Sequence, residues 1–377
     1  MENKIKSFIK ENTEEMFKVL KDLCLIPAPS HFEHKRAEYC KNWFEKNGAK
    51  GAYIDEALNV IFPINCEGSR KITVFVAHTD TVFPDTEPMP YSDDGEKVHC
   101  PGCADDTASV AVLMLMAKFF IEENIKPENG VMLVCNSCEE GLGNLKGTRQ
   151  LFKDFEGRIE KFISFDGTLS RVVDGCVGSH RYEVEVLTEG GHSWGKFGNK
   201  NAIAELAKIA AKIYEIEVPK TEGTKTSYNV GTISGGTSVN TIAQNAKMLC
   251  EYRSTDRECL DIMRKKYEAI FEEARTEGVT VNVTKVGDRP CSNIDFEKIE
   301  ELMRVAVPIA KEVSGKEITF GKSSTDCNIP LSLGISAITV GVNYHNGAHT
   351  REEWVDKLSM IPGLEYAIKL GLAFGEV

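Results

Sequence analysis

The sequence predicts an α/β protein in which a mixed sheet lies between helices and a smaller α+β domain interrupts the chain. Short apolar runs such as Val74–Ala77 and Val131–Cys135 alternate with amphipathic helical patterns, which is typical of sheets covered by helices. Residues 178–288 instead follow a β-α-β-β-α-β pattern with half-exposed strands, as in ferredoxin-like domains. The first pattern then resumes near Pro290.

These patterns place the domain boundaries. Residues 1–177 and 289–377 are expected to form one discontinuous domain, and residues 178–288 an inserted one. In the discontinuous domain, hydrophobic periodicity predicts helices at 3–25, 31–47, 108–120, 294–314 and 357–373, and strands at 58–62, 71–77, 131–135, 162–165, 318–320 and 335–340. In the inserted domain it predicts strands at 181–187, 227–233, 246–254 and 279–286, and helices at 200–215 and 256–277. Residues 84–102, rich in proline and aspartate, are expected to form a long loop.

The composition argues against several classes of function. The chain has 377 residues and a net charge of −12, and no dense Lys/Arg block stands out, so nucleic acid is not an expected partner. The N-terminus lacks the apolar core of a signal peptide, and no run of about 18 apolar residues could span a bilayer. We therefore expect a cytoplasmic protein with no membrane partner. Its twelve cysteines are expected to be reduced thiols.

Possible metal ligands follow several of the predicted strands. His78 and Asp80 are two residues apart, so they project to the same side of the strand's end, where open α/β sheets bind their ligands. A carboxylate behind an imidazole fixes the tautomer of a metal-binding histidine. Other acidic or imidazole side chains follow further apolar strands or begin a core helix. The set consists of His78, Asp80, Asp105, Asp106, Glu139, Glu140, Asp166 and His349.

Carboxylates gathered at one edge of a sheet repel one another unless cations neutralise them. Histidines together with carboxylates, and no required thiolate, suit a pair of Zn²⁺ ions that share one bridging carboxylate. Spacing alone does not choose Asp105 over Asp106 as a ligand, nor Glu139 over Glu140 as a catalytic base, because adjacent residues point in different directions.

The order of the motifs adds a family resemblance. His-Thr-Asp-Thr-Val, Pro-Gly-Cys-Ala-Asp-Asp, Cys-Glu-Glu-Gly-Leu-Gly, Phe-Asp-Gly, Gly-His-Ser and a late His-Thr-x-x-Glu follow one another between about residues 74 and 355. This series resembles the cocatalytic dinuclear-zinc exopeptidase and amidohydrolase family, which includes peptidase T, carboxypeptidase G, aminoacylase and succinyl-diaminopimelate desuccinylase. Among these members, the sequence as a whole most resembles peptidase T-like enzymes.

The resemblance implies a role for each metal-site residue. It implies that one zinc ion is held by His78, Asp105 and Asp166, and the other by Asp105, Glu140 and His349. Asp105 would then bridge two Zn²⁺ ions per subunit, for which Co²⁺ or Mn²⁺ are possible substitutes. The resemblance makes Glu139 the general base and places Asp80 behind His78. Many relatives have lysine after the aspartate pair, where this chain has Thr107.

The resemblance also implies a role for the inserted domain, as a lid and as the contact of a homodimer. His192 would reach a substrate carbonyl oxygen, usually across the dimer, and Asn240 and Arg253 fall where the family's lid contacts the substrate. The implied reaction is hydrolysis of an amide bond in a dipeptide or tripeptide, as in an aminopeptidase, by a zinc-bridging hydroxide. An N-acyl-amino-acid amidohydrolase or a carboxypeptidase with the same metals is the alternative.

Other interpretations remain open at this point. Cys100-x-x-Cys103 and Cys135-x-x-Cys138 have the spacing of a four-cysteine zinc site or a redox motif. A catalytically inactive binding protein on the same fold is a further alternative. His345 is a candidate substrate contact, and the segment from Ser323 to Asp326 is a candidate for the pocket lining.

Overall fold

The computed structural model describes all residues from Met1 to Val377. The chain divides into two compact units. Unit 1 consists of Met1–Cys176 and Asn293–Val377, and unit 2 consists of Val177–Ser292. The boundaries expected from the sequence, after residues 177 and 288, lie close to these divisions.

Nine α-helices occur along the chain. They are α1 (Glu2–Cys24), α2 (His34–Lys46), α3 (Ala108–Glu122), α4 (Lys146–Asp154), α5 (Ala202–Tyr214), α6 (Arg257–Glu273), α7 (Phe296–Ser314), α8 (Asn328–Ser332) and α9 (Met360–Phe374). Two of them have side-chain N-caps: Asn201 accepts hydrogen bonds from the N–H groups of Ile203 and Ala204, and Asp256 accepts one from Cys259. None of the helices is long and apolar enough to span a membrane.

The strands are numbered in chain order. They are β1 (Tyr53–Ile54), β2 (Val60–Ile64), β3 (Ile72–His78), β4 (Ser92–Asp93), β5 (Lys97–His99), β6 (Gly130–Asn136), β7 (Ile159–Phe165), β8 (Arg171–Cys176), β9 (Gly178–Thr188), β10 (Gly191–His192), β11 (Thr226–Gly235), β12 (Thr241–Ile242), β13 (Asn245–Ser254), β14 (Val279–Arg289), β15 (Thr319–Ser323), β16 (Ser336–Val340), β17 (Tyr344–Asn346) and β18 (Trp354–Asp356).

Unit 1 is built on an eight-stranded mixed sheet with the order β1-β2-β6-β3-β7-β16-β8-β15. Its four middle strands, β6, β3, β7 and β16, are parallel to one another. All residues of β3 and β6 are buried, which explains why these strands are continuous apolar runs in the sequence. Helix α3 packs on β3, β6 and β7, while α7 and α8 pack on β16 and β8. The predicted fold class, a mixed sheet between helices, is confirmed.

A second sheet of unit 1 was not predicted. Residues 84–102 were expected to form a loop, yet β4 and β5 lie within them and join β17 and β18 in the order β17-β18-β5-β4. The register pairs Trp354 with His99 and Asp356 with Lys97. These strands have only two or three residues, so pairing between distant segments, and not local pattern, determines them. The sheet attaches the C-terminal loop segment to the chain just before Cys100.

Unit 2 has a four-stranded antiparallel sheet in the order β11-β13-β9-β14. With α5 after β9 and α6 after β13, this is the β-α-β-β-α-β arrangement of ferredoxin-like domains. Alternate residues of β13 are buried, from Ala246 to Ser254. Helices α5 and α6 both pack on β13 and β9. Strand β11 is an edge of the sheet and is largely exposed.

Candidate metal centre

The carboxyl ends of the four parallel strands meet at one edge of the central sheet and carry most of the predicted ligands there. His78 is the last residue of β3, and Asp166 follows β7 directly. The pair Glu139–Glu140 comes shortly after β6, and His349 lies in the loop after β17. The sheet therefore gathers residues as far apart in the sequence as His78 and His349.

Asp105 lies between the two histidines. His78 Nε2 is 3.1 Å from Asp105 Oδ1, and His349 Nε2 is 3.0 Å from Asp105 Oδ2. His349 Nε2 is also 3.1 Å from Glu140 Oε1. Asp105 belongs to the irregular turn Cys103–Thr107 that precedes α3, and its peptide bond to Asp106 is cis. Each oxygen of one carboxylate thus faces a different imidazole.

Two groups of three possible metal ligands share Asp105. One is His78, Asp105 and Asp166, and the other is Asp105, Glu140 and His349; within each group the ligand atoms lie within 4.8 Å of one another. His78, Glu139 and Glu140 also approach this closely. These are the residues that the family resemblance assigned to two ions, with Asp105 common to both.

The position of the proton on the His78 ring indicates whether a cation fits between His78 and Asp105. His78 Nδ1 is 3.0 Å from the backbone oxygen of Asp80, which can only accept, so Nδ1 carries a proton. In the neutral ring, Nε2 then presents a lone pair toward the carboxylate of Asp105, which is unfavourable unless a proton or a metal ion lies between them. This orientation is the usual one for a metal-binding histidine.

The charges of the cluster also indicate a site for cations. Burial and the nearby Asp105 raise the pKa of Glu140 to about 7, and the same two causes raise the pKa of Asp166 well above its usual value. Burial also opposes ionisation of Asp105, but hydrogen bonds with His349 and His78 lower its pKa. So many acidic groups ionise together only beside compensating positive charge. The nitrogen and oxygen donors fit a pair of Zn²⁺ ions.

Asp80 has more contacts than the sequence indicated. Its Oδ1 lies 3.5 Å from His78 Nδ1, as expected for a residue behind that imidazole. Its two carboxylate oxygens also accept the backbone N–H groups of Glu139 and Glu140, each at 2.9 Å, and Ser30 Oγ donates to Oδ2 at 2.6 Å. Asp80 therefore fixes both the imidazole of His78 and the segment that carries the glutamate pair.

The structure distinguishes Asp105 from Asp106, which the spacing could not do. Asp106 is buried, and its Oδ2 accepts the backbone N–H of His78 at 3.0 Å, so this carboxylate braces β3. The next residue, Thr107, donates from Oγ1 to Gly102 O at 2.5 Å and accepts from Arg36 Nη1 at 3.0 Å. The buried guanidinium of Arg36 is thus a cation that contacts this turn through Thr107.

Glu353 is a buried residue of this region whose role was not predicted. Its carboxylate accepts three backbone N–H groups, from Gly102 at 2.7 Å, Ala104 at 2.8 Å and Asp105 at 2.9 Å. The only sequence signal was its place as the final residue of the His-Thr-x-x-Glu motif.

Two other polar residues lie outside the ligand groups. His345 has Nδ1 2.8 Å from Asn343 Oδ1, on the same strand-and-loop segment as His349. Asp326 is fully buried and accepts hydrogen bonds from Thr148 Oγ1 at 2.5 Å and Asn136 Nδ2 at 2.8 Å. Asp326 therefore braces the end of β6 just before the glutamate pair.

The cysteine pairs do not form a metal site. All twelve cysteines are free and buried, and none belongs to a group that could hold a metal ion. Cys135 lies within β6, and Cys138 Sγ is 3.2 Å from Glu33 Oε1 and 3.4 Å from His31 Nδ1. The cysteines of both C-x-x-C pairs thus serve as small buried side chains.

The remaining predicted site residues belong to unit 2. His192 and Asn240 are neighbours there, since β10 pairs with β12 and the N–H of Ser193 donates to Asn240 O at 2.9 Å. Arg253 lies near the far end of β13, where its Nε is 2.7 Å from Glu251 Oε1. Arg181 also contacts Glu251, at 3.1 Å.

The family model described as Peptidase family M20/M25/M40 matches residues 74–372, which is most of the chain. The chain belongs to this family. The family model confirms the resemblance drawn from the motifs. The chain is therefore a metallohydrolase that acts on peptide or amide bonds, in a family that binds two metal ions.

Three relatives at low sequence identity cover most of the M20 chain. An uncharacterised protein, YqjE, of Bacillus subtilis is 22% identical, over 87% of this chain and 90% of its own length. Carboxypeptidase G2 of a Pseudomonas species is 24% identical, over 85% of this chain and 77% of its own. A tripeptidase structure from Staphylococcus aureus has a TM-score of 0.74 at 19% identity, covering 97% of this chain and 99% of that one. At this identity the structural likeness establishes the fold alone.

Replacing His349 by alanine is expected to lower the metal content from about two ions per chain to about one, because the group of Asp105, Glu140 and His349 loses its imidazole. Metal content is measured by inductively coupled plasma mass spectrometry after dialysis. His345→Ala is the matched control, since this histidine lies on the same loop segment outside every ligand group. An unchanged metal content in His349→Ala contradicts the assignment.

Proposed function

We propose that this M20 enzyme hydrolyses the amide bond of dipeptides or tripeptides, as an aminopeptidase, with two Zn²⁺ ions. The observation that carries the proposal is the pair of ligand groups sharing Asp105, with Glu139 beside them. His78, Asp105 and Asp166 would hold one ion, and Asp105, Glu140 and His349 the other. When bound, the ions would lower the pKa of water toward about 7 and polarise the scissile carbonyl.

Glu139 is the proposed general base. It is buried and close to His78 and Glu140, and Asp80 fixes its backbone N–H. Its carboxylate takes the proton of the attacking water and passes it to the nitrogen of the leaving amine. Glu140 differs because its Oε1 faces His349. The two adjacent carboxylates therefore have separate tasks.

His192 is the proposed donor to the substrate carbonyl oxygen. Its Nδ1 accepts from the backbone N–H groups of Trp194 and Gly195, at 3.3 and 3.4 Å. The proton of a neutral imidazole must then lie on Nε2, which leaves that atom as a hydrogen-bond donor. A donor at this position stabilises negative charge that develops on the carbonyl oxygen during attack.

We further propose that unit 2 serves as a lid and joins two copies into a homodimer. Arg253 is eight residues along β13 from Asn245, or roughly 26 Å at the rise of an extended strand, whereas Asn240 and His192 lie beyond the Asn245 end. One small peptide cannot contact both ends of this strand in a single copy. Supply of His192 and Asn240 by a second copy removes that difficulty.

The surface of unit 2 supports the dimer. Trp194 and Phe197, in the loop after His192, are 89% and 93% exposed, and Val239 beside Asn240 is fully exposed. Large apolar side chains of this kind mark interaction surfaces when they cluster. The edge strand β11 also leaves backbone hydrogen-bonding groups unpaired by the sheet.

A carboxylate-recognising enzyme is the second candidate, either an N-acyl-amino-acid amidohydrolase or a carboxypeptidase. The observation that favours it is the positive pair formed by Arg181 and Arg253 around the single carboxylate of Glu251. The net positive charge of this group suits a substrate carboxylate.

A panel of free and N-acetylated dipeptides and tripeptides, together with N-acyl amino acids, decides between the candidates. We expect turnover of the free peptides and its loss with a chelator.

The free, reduced state of all twelve cysteines also suits a reducing compartment, and we infer a cytoplasmic location.

Glu139→Ala is expected to reduce kcat by about a thousandfold, since loss of a general base costs some 10²–10⁴-fold. The metal content should remain unchanged, because neither of the two ligand groups that share Asp105 includes Glu139. Steady-state kinetics and metal analysis on the same preparation separate the two effects. Glu352→Ala, at an exposed position three residues after His349, serves as the control. Near-normal turnover by Glu139→Ala would exclude Glu139 as the base.

Mixing two inactive variants tests whether His192 acts between copies. His192→Ala and Glu139→Ala should each be nearly inactive alone. After unfolding and refolding together, half of the dimers are mixed and each has one complete site, so about a quarter of the wild-type activity should return. Absence of any recovery, with dimers seen by light scattering, indicates that His192 acts within its own copy.

A further inference from the structure

Glu353 is a buried carboxylate that belongs to neither ligand group. Its side chain is 1% exposed, and it lies directly before β18, four residues after His349. Oε2 accepts the N–H of Gly102 at 2.7 Å, and Oε1 accepts those of Ala104 and Asp105 at 2.8 and 2.9 Å. The backbone oxygen of Glu353 accepts a fourth N–H, from Cys100 at 3.2 Å.

The segment from Gly102 to Asp105 wraps around this one carboxylate. Its N–H groups precede α3, in an irregular turn where no helical carbonyl is available to them. Hydrogen bonds to an ionised carboxylate are about twice as strong as those between neutral groups. Gly102 has φ of 75°, and a Cβ there would lie 2.5 Å from Thr81 Cγ2, so a side chain cannot be accommodated at this position.

These hydrogen bonds join the segment that carries Asp105 to the segment that carries His349. Asp105 N is bound by Glu353, and His349 is on the same loop as Glu353. Directly beyond Glu353, Trp354 pairs with His99, which extends the same connection through β18 and β5. The relative position of Asp105 and His349, whose side chains are 3.0 Å apart, therefore depends on Glu353.

We propose that Glu353 is a positioning residue that holds Asp105 where its carboxylate can serve both ligand groups, and that it thereby sets the affinity for the second metal ion. The inference rests on the metal roles proposed for Asp105 and His349. Glutamine at this position has nearly the same shape, but its NH₂ group cannot accept a hydrogen bond. At least one of the three N–H groups would lose its acceptor, and the turn would shift away from His349.

Glu353→Gln is compared with Glu352→Gln, whose position is adjacent but exposed. Binding of Co²⁺ to the metal-free proteins is followed by calorimetry and by the visible absorption of the bound ion. In Glu353→Gln we expect one ion bound with near-normal affinity and the second bound 10- to 100-fold more weakly, the usual effect of removing such a supporting group. The absorption spectrum of the doubly loaded protein should change, and kcat should fall with little change in KM.

Each outcome decides the proposal. If Glu353→Gln binds both ions with the affinity of the wild-type protein and gives an unchanged cobalt spectrum, the role of Glu353 is overturned. The proposed function is then unaffected. Failure of the wild-type protein to bind a second ion overturns both. If Glu353→Gln does not fold, Glu353→Asp decides: weaker binding of the second ion by this shortened carboxylate supports the proposal, and unchanged binding overturns it.

Discussion

The contact of one carboxylate with two imidazoles is the constraint on which unit 1 depends. Asp105 faces His78 with one oxygen and His349 with the other. The two histidines come from distant parts of the chain, and only the parallel order of β3, β7 and β16 brings their segments to one edge of the sheet. The contact therefore depends on the parallel strands of the central sheet, including β16 from the segment that follows the inserted unit.

Buried carboxylates beyond the ligand groups support this contact, and they do so through backbone N–H groups. Asp80 binds the N–H groups of Glu139 and Glu140, Asp106 binds that of His78, and Glu353 binds three in the turn before α3. A buried charge is costly unless hydrogen bonds satisfy it, and these N–H donors do so while fixing the backbone. The segments that carry His78, Asp105 and the glutamate pair are thus each held by an acidic side chain from another part of the chain.

Strand direction and burial explain which features of the site could be predicted from the sequence. The apolar strands could be recognised individually, and the rule that parallel strands present their carboxyl ends together was sufficient to group His78, the glutamate pair and Asp166. The choice between Asp105 and Asp106 depends on an irregular turn with no local pattern. The hydrogen bonds of Glu353 and the pairing of β5 with β18 join segments more than 200 residues apart, so no local pattern predicts these contacts, although the His-Thr-x-x-Glu motif includes Glu353 itself.

The two compact units differ in the charge of their polar clusters. In unit 1, the acidic groups converge on a few atoms and need positive charge to be ionised together. In unit 2, Arg181 and Arg253 contact one glutamate, while the exposed His192 lies beyond the other end of β13. The acidic cluster and these arginines therefore belong to separate compact units. Because β13 separates the arginines from His192 by most of its length, the proposed roles of Arg253 and His192 are compatible with one small substrate only if the two residues come from different copies.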